Sequence, residues 1–314
     1  MNNPFPYTQD NKRYHTWNYH LRQTYHEKLV KIALDGGFSC PNRDGTCGIG
    51  GCIFCSERGS GEFAGQKQLP LLKQYELGKI KYLSKWPNCR GIAYFQNFTN
   101  THAPLEYLQS CFEPFLEVED CVAIAIATRA DALDETKIAY LETLNKKKPV
   151  YIELGLQSTF DETANFIHRG HTYETFLHTI SLLAKTDLKI IVHLINGLPC
   201  ESKEMMLENA KRVGKLPIHG LKIHMLHVIK NTQLADEYDQ EPFPLITRDE
   251  YIKLIVDQLE YLPPHIVIQR LTGDGVQADL IAPLWTSDKK KVLNGIDQAM
   301  VARDTWQGKN VGNK

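Results

Sequence analysis

Long apolar runs are absent from this chain. The longest, VAIAIA at Val122 to Ala127, is far too short to cross a bilayer, and the N-terminal MNNPFPYTQDNKRYHTW has no apolar core of the signal-peptide kind. The sequence therefore reads as a cytoplasmic protein with no membrane partner. Net charge is lacking too: the formal value is -1 over 314 residues, which excludes a global positive field advertising nucleic acid. Locally the balance differs. Lys12, Arg13, Arg22, Lys28 and Lys31 crowd the start, and Lys289, Lys290, Lys291, Arg303, Lys309 and Lys314 the end, as a solvated surface or a phosphate-contacting rim. There is no repeat, no low-complexity segment and no linker rich in Gly, Ser or Pro. With 42% hydrophobic residues the chain buries a large core, and disorder as a whole is excluded.

Cysteine is scarce, eight in all, and badly spread. Cys89, Cys111, Cys121 and Cys200 stand singly beside apolar residues and read as core thiols. The other four, Cys40, Cys47, Cys52 and Cys55, fall within one segment, DGGFSCPNRDGTCGIGGCIFCSERGSG, from Asp35 to Gly61. In a reducing compartment such a cluster points to ligands rather than disulfides. Glycines at 45, 48, 50 and 51 give this loop freedom to wrap around a bound group. The loop alone leaves three readings: a closed four-thiolate zinc site, a four-iron cluster on three thiolates with one iron open, or a redox CxxC.

Around the loop, short apolar runs alternate with helix-length segments. Extended stretches are expected at KLVKIAL (28–34), GIAYFQ (91–96), VAIAIAT (122–128), VYIELGL (150–156), KIIVHLI (189–195) and LKIHMLHVI (221–229). Helices are expected near 69–86, 105–116, 134–147, 173–184 and 202–215. Strands apolar on both faces and separated by helices imply repeated βαβ units and a buried parallel sheet, curled into a barrel or part of one. In such barrels the chemistry sits at the C-terminal strand ends, and here those ends run into polar segments such as QNFTNTHAP, TRADAL and NGLPCES. The expected organisation is an N-terminal basic and aromatic extension over 1–27, a barrel over 28–240 with its cysteine loop at 35–61, and a C-terminal α/β extension over 241–314. That extension holds a helix (YIKLIVDQLEYL), a strand (HIVIQRLTG) and a last helix (SDKKKVLNGIDQAMVARDTW).

The position of the loop, directly after the first strand, resembles that in the radical S-adenosylmethionine (radical SAM) superfamily, whose cluster loop ends in CxxC with an aromatic before the last cysteine, here Phe54. The common CxxxCxxC spacing is absent; the longer first interval resembles the Elongator catalytic-subunit branch. YIELGLQSTFDETANFIHRGHT, VHLINGLPCES and LKIHMLHVIKNTQL resemble the fourth, fifth and sixth strand segments of that branch and of oxygen-independent coproporphyrinogen oxidases. DGGFSCPNRDGT with GGCIFC, RLTGDG, IAPLW and LNGID are similar to the YtqA subgroup over nearly the whole chain.

The resemblance implies a partial (β/α)6 radical SAM barrel, a [4Fe-4S] cluster and S-adenosyl-L-methionine. It assigns Cys40, Cys52 and Cys55 as cluster ligands and leaves Cys47 a non-ligand. Gln96, Asn97 and Thr99 stand where a GGE-like motif would take the methionine amino group. Glu153 and Gln157 suit ribose hydroxyls, Arg169 a methionine carboxylate, and Asn196 to Pro199 the adenine edge. For a substrate carboxylate Arg129, Lys230 and Arg270 are candidates, with His102, His171, His224 and His227 as proton donors. Tyr94, Phe98, Tyr151 and Trp285 are candidates to stack on a splayed base. The implied activity is tRNA modification, converting wobble 5-carboxymethylaminomethyl-(2-thio)uridine to the 5-aminomethyl form. The implied partners are a tRNA anticodon loop, an electron donor such as flavodoxin or ferredoxin, and a downstream tRNA methyltransferase. Two alternatives remain: a zinc-stabilised nucleic-acid-binding protein, and a radical enzyme acting on a porphyrin or peptide.

Overall fold

The computed structural model describes residues 5, 7, 12–59, 61–273 and 275–312. Much of the expected N-terminal extension, Ser60 of the loop and Lys314 of the basic tail thus lie outside the described residues. Nineteen elements are used below, in chain order: α1 (Trp17–Tyr25), β1 (Leu29–Leu34), α2 (Leu71–Leu83), β2 (Arg90–Phe95), α3 (Leu105–Phe112), β3 (Cys121–Thr128), α4 (Glu135–Asn145), β4 (Val150–Gln157), α5 (Asp161–Phe166), α6 (Tyr173–Leu183), β5 (Lys189–Asn196), α7 (Lys203–Gly214), β6 (Gly220–Met225), β7 (Val228–Ile229), α8 (Gln233–Gln240), α9 (Arg248–Tyr261), β8 (Val267–Arg270), β9 (Leu280–Ala282) and α10 (Lys289–Ala302). Helix starts follow capping chemistry: Asp134, Thr172, Ser202 and Thr232 each accept from a first-turn N–H, and Thr247 with Glu250 forms a capping box.

β1 to β6 pair in sequence order, all parallel, and β8 adds a seventh strand beside β6. The sheet is therefore one strand wider than the six expected, because HIVIQR from the C-terminal part pairs with β6. It curls far enough that side chains of its two edge strands meet: Lys31 of β1 donates to Gln269 Oε1 of β8 at 2.9 Å. The stretch expected as a single strand over 221–229 breaks after Met225. There Leu226 N–H turns to Asn196 O at 2.9 Å, and β7 pairs antiparallel with β9 instead. Cys200, expected in the core, is exposed.

The period of two in each strand separates a helix-covered face from an interior one. Outward residues such as Ile32, Phe95, Ile124, Ile126, Ile152, Leu154, Val192 and Ile223 join one large core with the helices. Inward, β3 presents Ala123, Ala125 and Ala127, whose small side chains leave the barrel interior open. At the N-terminal end of the strands α1 closes the interior, with Trp17 edge-on to Tyr151 at 5.4 Å and Thr16 bridging to Ile268. The two chain ends meet there: Gln307 N–H donates to Arg13 O at 2.9 Å, and Ile268 N–H to His15 O at 2.8 Å.

Candidate active site at the barrel mouth and interior

One cavity of about 1320 Å³ runs from Trp17 and Leu29 at the closed end to the cysteine loop at the open end. Nine Lys or Arg residues line it against two acids, Glu62 and Glu153, in a chain whose formal net charge is -1.

At the open end the loop is pinned by two backbone bonds at Ile53, inside its CxxC. Ile53 N–H donates to Ile167 O at 3.2 Å, and Leu234 N–H donates to Ile53 O at 2.9 Å. The Arg43 guanidinium braces the loop from within by donating to Cys55 O at 3.2 Å and to Ser56 O. Gly51 makes room for that guanidinium: its φ is +91°, and a Cβ there would sit 2.7 Å from Arg43 Nε. Asn42 ties the loop to the turn after α5 by donating to His168 O. Cys40, Cys52 and Cys55 all line the cavity, and the Cys52 and Cys55 thiols hydrogen-bond each other. Cys47 does not line it; its exposed thiol stands 3.9 Å from Asn42 Oδ1 and 3.7 Å from Arg129 Nη2. Among the described residues no three His, Cys, Asp or Glu side chains are drawn together around a single ion.

The second βα loop faces the cysteine loop. Thr99 N–H donates to Ser39 O at 3.1 Å, and Asn97 Nδ2 to Asp35 Oδ2 at 2.9 Å. Asn97 Oδ1 and Thr99 Oγ1 are buried with no partner among the described residues; Thr99 lines the cavity and keeps its hydroxyl for a bound group, whereas Asn97, expected to share that contact, lies outside the lining against Gly61. Gln96 and Thr99 line the cavity, and so does Gln157, whose φ of +61° at the end of β4 is a strained position for a residue with a side chain.

Three other expected contacts are redirected. Arg169 is 1% exposed, and its guanidinium donates to Leu156 O at 2.7 Å, Ser158 O at 2.6 Å and His171 O at 2.8 Å, with Asp161 Oδ1 at 3.4 Å. It clamps the HRGH turn and has no N–H turned toward a methionine carboxylate. Asn196 is locked in a reciprocal amide pair with Gln258 (2.8 and 3.0 Å) and does not line the cavity. Lys230 leaves the site too, donating to Ala278 O at 2.8 Å beside the β7–β9 ribbon.

Arg129 belongs to the thiol end. Its guanidinium grips Asp131 at 2.9 and 2.7 Å and donates to Arg169 O at 2.7 Å. Burial opposes its charge, and the Asp131 pair outweighs that penalty. Among the other sequence candidates, His171, His224, His227, Tyr94 and Phe98 line the cavity. His102 instead contacts Asp44 at 2.8 Å, and Tyr151 and Trp285 lie outside the lining.

The interior holds a charged cluster that the sequence reading missed, and it claims Glu153, which was expected at a ribose hydroxyl. Glu153 is fully buried, and its two oxygens accept from Lys31 and Lys222, with His193 Nε2 at 3.1 Å. Burial alone would raise this carboxyl, but Lys222, Lys31 and His193 together hold it well below the usual carboxylate range. Burial pushes Lys222 down, and Glu153 offsets that only in part. His193 falls to about 4 through burial first and Lys222 second, so at neutral pH it is uncharged and donates to Glu153. The lysine heads also rest on an aromatic: Lys31 and Lys222 stand 4.9 and 4.8 Å from the Tyr94 ring centroid. Arg270 lines the cavity and acts electrostatically on Lys222, Tyr94 and His224. The available signal was a polar or charged residue on the inward face of an otherwise apolar strand: Lys31 in KLVKIAL, Glu153 in VYIELGL, His193 in KIIVHLI, and Lys222 with His224 in LKIHML.

A parallel curled sheet with three thiols of one loop facing the cavity at its open end defines a βα barrel whose site lies at the C-terminal ends of its strands. The family model described as the Radical SAM superfamily matches residues 43–213, and the Radical_SAM C-terminal domain matches 218–302. The chain belongs to the radical SAM superfamily, whose members use a [4Fe-4S] cluster and S-adenosylmethionine, and it is an enzyme. This membership sets aside the non-enzymatic zinc-stabilised alternative. YtqA of Bacillus subtilis (strain 168) is 45% identical over 309 residues, 98% of this chain and 96% of that one. The tRNA uridine(34) acetyltransferase of Methanocaldococcus jannaschii is 29% identical over 157 residues, 49% of this chain and 28% of that one. The solved structure of Methanocaldococcus infernus Elp3 with an N-terminal deletion superposes with a TM-score of 0.67 at 19% identity, covering 90% of this chain and 64% of that one, and so shares the fold. No helix among the described residues is long and apolar enough to cross a membrane.

Proposed function

We propose that this enzyme modifies tRNA, converting wobble 5-carboxymethylaminomethyl-(2-thio)uridine to 5-aminomethyl-(2-thio)uridine on the route to 5-methylaminomethyl-2-thiouridine. The observation that carries the reading is the cavity: about 1320 Å³, cationic throughout, with the thiols at one end and buried lysines at the other. Pockets for one small ligand run to roughly 300–1,000 Å³, so there is room for a cofactor and a splayed nucleotide together. The likeness to a tRNA uridine(34) acetyltransferase supports tRNA as the substrate class.

The residues present fit the cofactors. Cys40, Cys52 and Cys55 face the cavity and would hold the cluster, leaving one iron open, while Cys47 is turned away to Asn42 and Arg129. Thr99 Oγ1, on the cavity lining and without a partner among the described residues, suits the amino group of S-adenosylmethionine, and Gln157 suits its ribose. When bound, the reduced cluster and S-adenosylmethionine supply a 5′-deoxyadenosyl radical able to abstract hydrogen from a carbon. This chain's part is to place the substrate C–H beside it and keep water out. Arg129, paired with Asp131, fixes the turn under the thiols, and Phe54, Tyr94 and Phe98 offer faces on which a splayed base can stack. The reading places the enzyme in the cytoplasm, with a flavodoxin or ferredoxin as reductant and a tRNA methyltransferase taking the product.

The test is nucleoside mass spectrometry of tRNA from a strain lacking the gene. Accumulation of the carboxymethylaminomethyl nucleoside, and its conversion by the anaerobically reconstituted protein, are expected. An unchanged wobble profile sinks the proposal.

A further inference from the structure

Lys31 and Lys222 converge on one carboxylate, Glu153, and Arg270 lines the same cavity; the other lining acid, Glu62, is bound to Ser56 on the loop side. Lys222 is 6% exposed and Glu153 fully buried, so water does little to screen the excess cations. Each ammonium has three N–H groups. Lys31 has two protein acceptors, Glu153 and Gln269, and Lys222 has Glu153 with only a long 3.4 Å contact to the Tyr94 hydroxyl. Alongside them, Gln269 Nε2 and His224 Nε2 are buried with no partner among the described residues. Two lysines on one buried carboxylate, beside buried nitrogens without partners among the described residues, form an anion seat awaiting its ion.

The seat is separate from the cofactor end. Glu153 lies four residues below Gln157 on the same strand, roughly 13 Å at 3.3 Å per residue. Its floor is closed by Trp17, 5.2 Å from Lys31 Nζ, so what enters must reach down from the mouth.

We propose that Lys31, Lys222 and Arg270 seat the carboxylate at the tip of the substrate's side chain, with Glu153 as the positioning residue that holds the two lysine heads. This rests on the wobble-uridine reading, in which the group to be removed ends in a carboxylate. The seat makes that carboxylate the basis of selection: substrate binds through it, and the product, having lost it, leaves.

The test measures binding of the cluster-loaded protein, without reductant, to two synthetic anticodon stem-loops that differ only in carrying carboxymethylaminomethyluridine or aminomethyluridine at the wobble position. Wild type should prefer the carboxylated form by about 10- to 100-fold. Arg270→Met, and the double change Glu153→Gln with Lys222→Met, which removes both charges of the buried pair together, should erase that preference by weakening binding of the carboxylated form. Thermal melts check that each variant folds. A wild type that does not discriminate overturns the seat, and so does discrimination that survives both variants. Its failure is distinguishable from that of the wobble reading: an altered wobble profile in the deletion strain without discrimination refutes the seat alone. Discrimination with an unchanged profile supports carboxylate recognition and refutes the wobble reaction.

Discussion

The cysteine loop and the barrel interior solve the placing of reactive groups in opposite ways. The loop draws its thiols from sixteen consecutive residues, Cys40 to Cys55, and keeps its shape through glycines and local bonds such as those of Arg43. The interior draws Lys31, Glu153, His193 and Lys222 from β1, β4, β5 and β6, far apart in the chain, and holds them by pairing the strands. A loop-borne group is replaceable without disturbing the core. An ion pair inside the barrel is part of the core, and each partner depends on the others.

The sharpest way to break the contrast is at the loop. Cys40→Ala, Cys52→Ala and Cys55→Ala should each abolish the four-iron signal and cleavage of S-adenosylmethionine while leaving the melting temperature of the metal-free protein near wild type. Cys47→Ala should keep both activities. Iron and sulfide analysis with low-temperature EPR reads the outcome, and loss of the cluster in the Cys47 variant would overturn the three-thiol assignment.

In the interior the expected effect is on stability. Lys222→Met alone leaves Glu153 buried with half its compensation, a loss of about 3–5 kcal/mol for a broken buried pair. Adding Glu153→Gln should recover most of it, since removing both charges avoids the stranded ion. Urea unfolding of the two variants decides this; equal instability would show that the pair is no isolated ionic unit.

A smaller effect concerns pH. His20, His193 and His227 each have a pKa lowered to about 4 from 6.5, with burial the largest cause. The folded state resists their protonation while the unfolded state accepts it below 6.5. Their stabilisation is therefore complete above pH 6.5 and lost as pH falls toward 4. Melting temperatures across that window should fall with acid, and His20→Gln, remote from the loop, should flatten the slope. A slope unchanged by that substitution would assign the acid sensitivity elsewhere.

Much of this molecule was readable from local pattern. VAIAIAT and KIIVHLI become β3 and β5 within a residue at each end, and the expected helices at 134–147 and 202–215 become α4 and α7. Runs apolar on both faces have few other ways to be buried. The thiol loop was readable because its ligands are neighbours in sequence. Where the reading failed, an unforeseen protein partner took the side chain. Arg169 and Asn196 have the right residue type at a strand-end segment, but three carbonyls of the adjoining turn claim the first and Gln258, 62 positions on, the second. Lys31 was taken as one of a row of surface charges, yet it turns inward because its place in β1 puts it on the odd face.

By itself the sequence determined the alternation of strand and helix, the glycine loop and its thiols, because each depends on residues within reach of one another along the chain. Only the tertiary structure decided that Glu153 would face two lysines and that β8 would complete the sheet. Those facts follow from strand order and curl, which bring Lys31 to Glu153 across 122 positions and Lys222 to it across 69.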